Sequence, residues 1–253
     1  MTLIRKIMPM AVATLFVSAA IACGSTAEGR VDSAPLPASD SVPEWEKGNV
    51  PMPPGDESVR YRTLTDADFE LVAKELDVEA AAIKAVVLIE AGQAMEGFWA
   101  PGVPIINFDR TMYNKYGAKA ANRAGNPNAK VPAGLTGFAL RRWTTLTNMR
   151  RKNYDGADMG TFWGMFQIGG FAYKQCGCRS IREFVDRMSR SEFDQLELFA
   201  AMILNTGYVD YIRKKDWAGF SRRYNGPSYA SRGYHTKMAR AYAKFSKNRL
   251  SPP

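Results

Sequence analysis

Asp77-Val78-Glu79-Ala80-Ala81-Ala82-Ile83-Lys84-Ala85-Val86-Val87-Leu88-Ile89-Glu90-Ala91-Gly92 is the stretch on which the reading of this chain turns. It is dense in Ala, Ile, Val and Leu, apolar nearly all round, and it stops at a glycine suited to capping a helix end. This pattern predicts a helix over residues 77–91 buried at the centre of a domain. Its one acid near the end, Glu90, shares a helical face with Ile83, Val86 and Val87. A carboxyl leaving a helix among such neighbours is partly desolvated, which disfavours its charged form and raises its pKa.

The flanking residues continue the helical pattern. Thr65 with Asp68 forms a capping-box-like start for a helix over 65–76, with Phe69, Val72, Ala73 and Leu76 on one face. Residues 98–108 break helical periodicity and read as a short β-hairpin or extended flap. A short helix over 109–116, a loop or lid over 117–135 rich in Gly and Pro, and a helix over 136–151 follow. Ser180 with Glu183 and Ser191 with Asp194 mark two further helix starts. The last helices are expected at 191–205, 207–214, 216–223 and 229–247. The fold class is therefore mainly α, with a small β element. No internal repeat and no glycine-rich phosphate cradle is present.

The N-terminal part is not read as fold. Residues 1–22 have the form of an export signal: Arg5 and Lys6, then an apolar run from Ile7 to Ile21, then Ala20-Ile21-Ala22 as a small-x-small cleavage site. Cys23 follows at once, so the site also resembles a bacterial lipobox, with Ala20 standing where such boxes usually carry Leu. Gly24 after the Cys resembles the outer-membrane-sorted form. The expectation is an outer-membrane lipoprotein facing the periplasm, anchored by lipid at Cys23, or else a secreted protein. Residues 23–60, rich in Ser, Pro, Gly and acid, read as a tether. They hold seven acids against three bases, and the leader adds two bases. The whole-chain net charge of +9 thus becomes +11 over residues 61–253, the expected folded domain. Such an excess outside the cytoplasm favours an anionic partner, most simply the cell-wall polymer. An export signal and the absence of a recognised binding motif speak against nucleic acid.

Two more phrases join Ile89-Glu90-Ala91-Gly92: Trp163-Gly164-Met165-Phe166-Gln167-Ile168 and Arg223-Tyr224-Asn225-Gly226-Pro227. In this order they resemble the signature blocks of the lysozyme-like superfamily: a lone catalytic Glu, a Gly-x-x-Gln-Ile turn and a Tyr-Asn-x-Gly closing segment. From Phe69 to Tyr242 the chain is similar to the N-acetylmuramidase domain of phage endolysins and related bacterial proteins, with Ala82-Ile83-Lys84-Ala85-Val86 and Lys215-Asp216-Trp217 also matching. The resemblance implies a lysozyme-like helical domain with its β-hairpin or flap beside the active cleft. It also implies a monomeric, cofactor-free enzyme that cleaves the bond between N-acetylmuramic acid and N-acetylglucosamine in peptidoglycan.

Within that resemblance Glu90 is the general acid, protonating the leaving oxygen as the sugar gains oxocarbenium character. Asp109 is the second carboxylate, as base or electrostatic stabiliser. The family usually has Glu at this place, and commonly His where Thr111 stands. Asp109 is one methylene shorter and lies about two residues further from Glu90 than usual, and both changes alter the carboxylate separation that decides whether water fits between. An ion pair with Arg110 or a helix N-cap is the structural alternative for Asp109. Trp163 and Phe166 offer apolar faces to sugar rings, or else belong to the core. Gly164 permits close backbone approach. Gln167 bonds an N-acetyl group or positions water. Tyr224 resembles the phenol that orients the catalytic Glu, and Asn225 and Gly226 shape the loop beneath the cleft. Two rival functions remain: a lytic transglycosylase forming 1,6-anhydro products, and a non-catalytic peptidoglycan-binding lipoprotein.

Other chemistry is disfavoured. Glu96 lies on a loop, where a carboxylate is solvated. His235 is the only histidine, and one His without a matched acidic or thiol cluster builds no zinc site. Cys176-Gly177-Cys178 is C-x-C rather than C-x-x-C; after export the pair forms a strained disulfide or stays as half-buried thiols.

Overall fold

A computed structural model describes residues 63–248. The export signal, Cys23 and the tether lie outside the described residues. Ten α-helices and two small antiparallel sheets follow one another in this region.

Helix α1 (Asp66–Leu76) begins as its sequence predicts. The Asp68 carboxylate accepts the Thr65 backbone N–H and the Thr65 hydroxyl, each at 2.7 Å. Asp77 then takes a left-handed conformation (φ 53°) and closes α1, so α2 spans Ala80–Glu90 instead of starting at Asp77. Ile83, Val86 and Val87 are fully buried, as the apolar pattern requires. The central position is shared, however, with α7 (Glu192–Asn205), ten of whose residues are buried.

Residues 98–108 divide between two sheets. Strands β1 (Phe98–Ala100) and β2 (Val103–Pro104) form the expected hairpin. Strand β3 (Ile106–Phe108) leaves it and pairs with β4 (Thr161–Trp163), which pairs in turn with β5 (Ile168–Gly169). The second sequence block is thus the turn between β4 and β5. Helix α3 (Arg110–Lys115) follows β3, and a 3-10 turn at Gly117–Lys119 opens the loop. Helices α4 (Gly137–Arg150) and α5 (Tyr154–Met159) come next, the latter not foreseen from sequence. Helix α6 (Ile181–Arg190) and α7 carry the expected serine caps, Ser180 and Ser191. After α8 (Val209–Arg213) and α9 (Trp217–Tyr224), a 3-10 turn at Pro227–Tyr229 delays α10 to Tyr234–Asn248. Helix α10 packs along α2 and α9.

The sheets are fixed to the helices by polar groups on α7. Gln195 is fully buried, and its Oε1 accepts the Met165 N–H at 2.7 Å. Its Nε2 donates to the Met188 carbonyl at 2.8 Å and to the Gly97 carbonyl at 3.4 Å. Glu192, one turn earlier, accepts the Gly97 N–H at 2.7 Å and the Leu64 N–H at 2.9 Å. The backbone comes so close that a Cβ on Gly97 would stand 2.4 Å from Gln195 Oε1, and one on Gly164 2.5 Å from it. Gly164 also has φ +68°, where a side chain is strained in any case.

Two substitutions test this junction. Gly164→Ala should destabilise the domain by about 2 kcal/mol or more, from strain plus the clash. Gln195→Ala should cost about 1–3 kcal/mol by leaving the Met165 N–H buried and unpaired. Urea unfolding should show a lower midpoint at unchanged slope in both; unchanged midpoints would remove the junction from the account.

Candidate active site

Glu90 is the last residue of α2 and keeps part of its surface open to solvent. Its neighbours on that helical face, Val86 and Val87, belong to the core. Burial pushes its carboxyl up to about 7, partly offset by a hydrogen bond from Asn225. Asn225 Nδ2 donates to Glu90 Oε1 at 2.7 Å. The Asn225 Oδ1 is buried with no hydrogen-bond partner among the described residues. Asn225 is the C-cap of α9, so the end of one helix holds the acid at the end of another. Helix α9 itself is capped by Asp216, whose Oδ1 accepts the Gly219 N–H at 2.8 Å.

Tyr224 does not take the role its sequence context implies. Its hydroxyl donates to the Phe166 carbonyl at 2.6 Å, and Asn225, not Tyr224, bonds Glu90. Burial, with the nearby Glu90 charge, raises the Tyr224 phenol well above its ordinary value, so it stays a donor. The ring stacks on Phe220 (centroids 5.0 Å apart) and meets the edge of Phe199 at 6.0 Å. Phe199 stacks on Phe166 at 4.3 Å. Phe166 is therefore core, and Tyr224 positions the β4–β5 turn.

Trp163 has no open face to give a sugar. It is fully buried, its Nε1 donates to the Asp158 carbonyl at 3.0 Å, and it meets the edge of Trp143 at 6.1 Å. Its register opposite Ile106 on β3 turns it inward, and a strand there was not foreseen. Gln167 remains half-buried in a left-handed conformation (φ 47°). Its Nε2 donates to the Gly164 carbonyl at 2.8 Å, which leaves the amide oxygen and the second N–H for a ligand. Left-handed backbone on a residue other than Gly costs about 1–2 kcal/mol and concentrates at functional sites.

Asp109 is the N-cap of α3, its Oδ1 accepting the Met112 N–H at 2.9 Å. Of the two structural alternatives read from sequence, the cap is the one present. Glu96 is exposed. Cys176 and Cys178 are buried free thiols, not a disulfide. Burial raises Cys176 well above its ordinary value and Cys178 to about 12, so neither supplies a thiolate. His235 sits half-buried on α10 against the Tyr229 ring, centroids 5.4 Å apart. Gln195 and Glu192 were missed by sequence reading. Glu192, Asp194, Gln195 and Glu197 crowd the first turns of α7, and nothing local separates the two that bond the sheets from the others.

The family model for N-acetylmuramidase matches residues 79–246. Among solved structures the chain is similar to the Burkholderia AP3 phage endolysin. The two are 35% identical with a TM-score of 0.60, over 74% of this chain and 72% of that one. No curated protein matches.

The geometry around Glu90 has consequences for pH. Asn225→Ala removes the bond that favours ionised Glu90, so the alkaline limb of wall lysis should move to higher pH. A pH–rate profile with an unmoved limb would contradict the assignment. Glu90 also affects stability. Its folded pKa of about 7 exceeds the ordinary 4.5, so its contribution is fully present below pH 4.5 and is lost as pH rises through 7. Glu90→Gln should therefore be more stable than wild type at pH 8, by up to about 3 kcal/mol, and no more stable at pH 4. Thermal unfolding at the two pH values measures this.

Proposed function

The chain belongs to the N-acetylmuramidase family, a lysozyme-type glycoside hydrolase acting on peptidoglycan, and we propose that Glu90 is the general acid that cleaves its glycan strand. The single observation that carries this reading is the desolvated Glu90 carboxyl held by Asn225. A general acid must keep its proton near neutral pH and yet reach substrate, and a carboxyl raised to about 7 on a residue that is still partly exposed meets both needs. The bond cleaved is the one between N-acetylmuramic acid and N-acetylglucosamine. Gln167, beside Gly164 in the β4–β5 turn, offers its amide oxygen to an N-acetyl N–H of the sugar. Asp109, its orientation fixed by the cap bond, serves as base or electrostatic stabiliser. The protein acts outside the cytoplasm, exported by its leader and held through lipid at Cys23 or released.

One observation favours a second reading. The second carboxylate is shortened to Asp and engaged in capping α3, which suits chemistry that depends on one carboxyl. In that case Glu90 first protonates the leaving oxygen, then takes a proton from the sugar's own 6-hydroxyl as the 1,6-anhydro ring closes.

Mass spectrometry of digested sacculi separates the two. Products carrying an added water support hydrolysis, and products lighter by one water molecule support ring closure. In either case Glu90→Gln should abolish cleavage while wall binding persists, a loss of about 1000-fold or more for a general acid required in the transition state. Wild-type rates in that variant would end the Glu90 assignment, and a full rate in Asp109→Asn would end that of Asp109.

A further inference from the structure

A cavity of about 320 Å³ whose lining does not include Glu90 is formed among others by Asn122, Asn126, Tyr154, Asp158, Arg182 and Asp186. It shares no residue with the surroundings of Glu90 described above. One wall is the loop after α3, pinned by two backbone bonds: Asn126 N to the Arg150 carbonyl at 2.9 Å, and Tyr154 N to the Ala124 carbonyl at 3.0 Å. The opposite wall is α6, which carries Arg182, Val185 and Asp186. Of the loop or lid expected over 117–135, this part is a loop tied to α4 and α5 by backbone bonds.

At the back stands Asp158, 1% exposed. Its Oδ1 accepts from Arg150 Nε at 2.6 Å, and the Arg150 guanidinium lies over Trp143, Tyr154 and Trp163 at 4.8–5.5 Å. The other carboxylate oxygen, Oδ2, is buried with no partner among the described residues. A buried carboxylate oxygen left without a donor is costly, and a ligand or water that donates to it removes the cost. Burial raises Asp158 to about 6, and partial desolvation at the cavity wall also raises Asp186 and Tyr154.

The lining thus holds two carboxylates and one guanidinium, with two amides and a phenol between them. A bare metal ion is a poor match: no group of three or more His, Cys, Asp or Glu is gathered among the described residues, and Arg182 opposes a cation. A ligand carrying an ammonium and a carboxylate on one carbon satisfies both signs at once.

We propose that this cavity binds the free α-amino-acid end of a diamino acid borne on a peptide of the wall polymer. The ammonium donates to Asp158 Oδ2 and Asp186, and the carboxylate accepts from Arg182. Asp186 and Arg182, the other charged groups of the lining, are exposed residues of α6. This inference rests on the peptidoglycan reading, and it adds peptide recognition to glycan cleavage.

The test uses the purified protein with 2,6-diaminopimelic acid as probe, followed by NMR shifts and calorimetry. Cadaverine and pimelic acid, which each carry one sign of charge, serve as controls. The diamino diacid should bind and shift resonances of residues 122–126 and α6, and each control should bind at least tenfold more weakly. Asp186→Asn and Arg182→Gln, both surface changes that leave the fold intact, should each weaken the probe about tenfold. In cleavage assays these variants should lose about tenfold in kcat/KM on intact sacculi and nothing on peptide-free glycan strands. No shift at the cavity, equal binding of the controls, or equal losses on both substrates would overturn the proposal. If instead wild type cuts neither substrate while the probe still binds, the Glu90 reading fails and the cavity assignment stands.

Discussion

The buried amide of Gln195 is the interaction on which the other arrangements depend. One side chain on α7 satisfies the Met165 N–H of the β4–β5 turn, the Met188 carbonyl at the end of α6 and the Gly97 carbonyl that precedes the hairpin. Without it the Met165 N–H would be buried without a partner, and an unpaired buried group costs more than an ordinary hydrogen bond gains. Gly97 and Gly164 are then required, because any Cβ there would occupy the space of the amide. Helix α7 is thus more than an apolar core element. It fixes where both sheets begin.

From that junction the site is assembled by two further long-range bonds. The Tyr224 hydroxyl ties the same turn to α9 through the Phe166 carbonyl, and the next residue, Asn225, reaches the Glu90 carboxyl. The three sequence blocks are therefore joined as carboxyl to amide and phenol to carbonyl, with the stacked rings of Phe166, Phe199, Tyr224 and Phe220 beneath them. Aromatic packing makes this support stiff, since each ring is large and has few rotamers. Holding an acid at the edge of such a core works against folding at neutral pH, and it also keeps a proton available for chemistry.

Behind β4 the ionic pair of Arg150 and Asp158 follows a different logic. Three aromatic rings surround the guanidinium, and the Asp158 carbonyl holds the Trp163 indole. The pair anchors β4 through the Trp163 indole. It also leaves one carboxylate oxygen unused at the wall of a polar cavity. Buried polar groups in a folded domain are nearly always satisfied, so an unused oxygen directs attention to what enters from outside.

The sequence by itself determined the features governed by contacts within a few residues. These include the Thr65–Asp68 capping box, the serine caps of α6 and α7, the apolar α2 ending in an acid, and the hairpin after it. Family resemblance added the grouping of the three blocks. What only the tertiary structure decided was the choice of distant partners. Asn225 rather than Tyr224 bonds Glu90, Trp163 faces inward because β4 pairs with β3, Asp109 caps α3, and Gln195 closes the junction. Local periodicity records which face of an element is apolar. The partner of a polar side chain is fixed only when remote segments converge and each buried donor or acceptor must be matched within the few ångströms available.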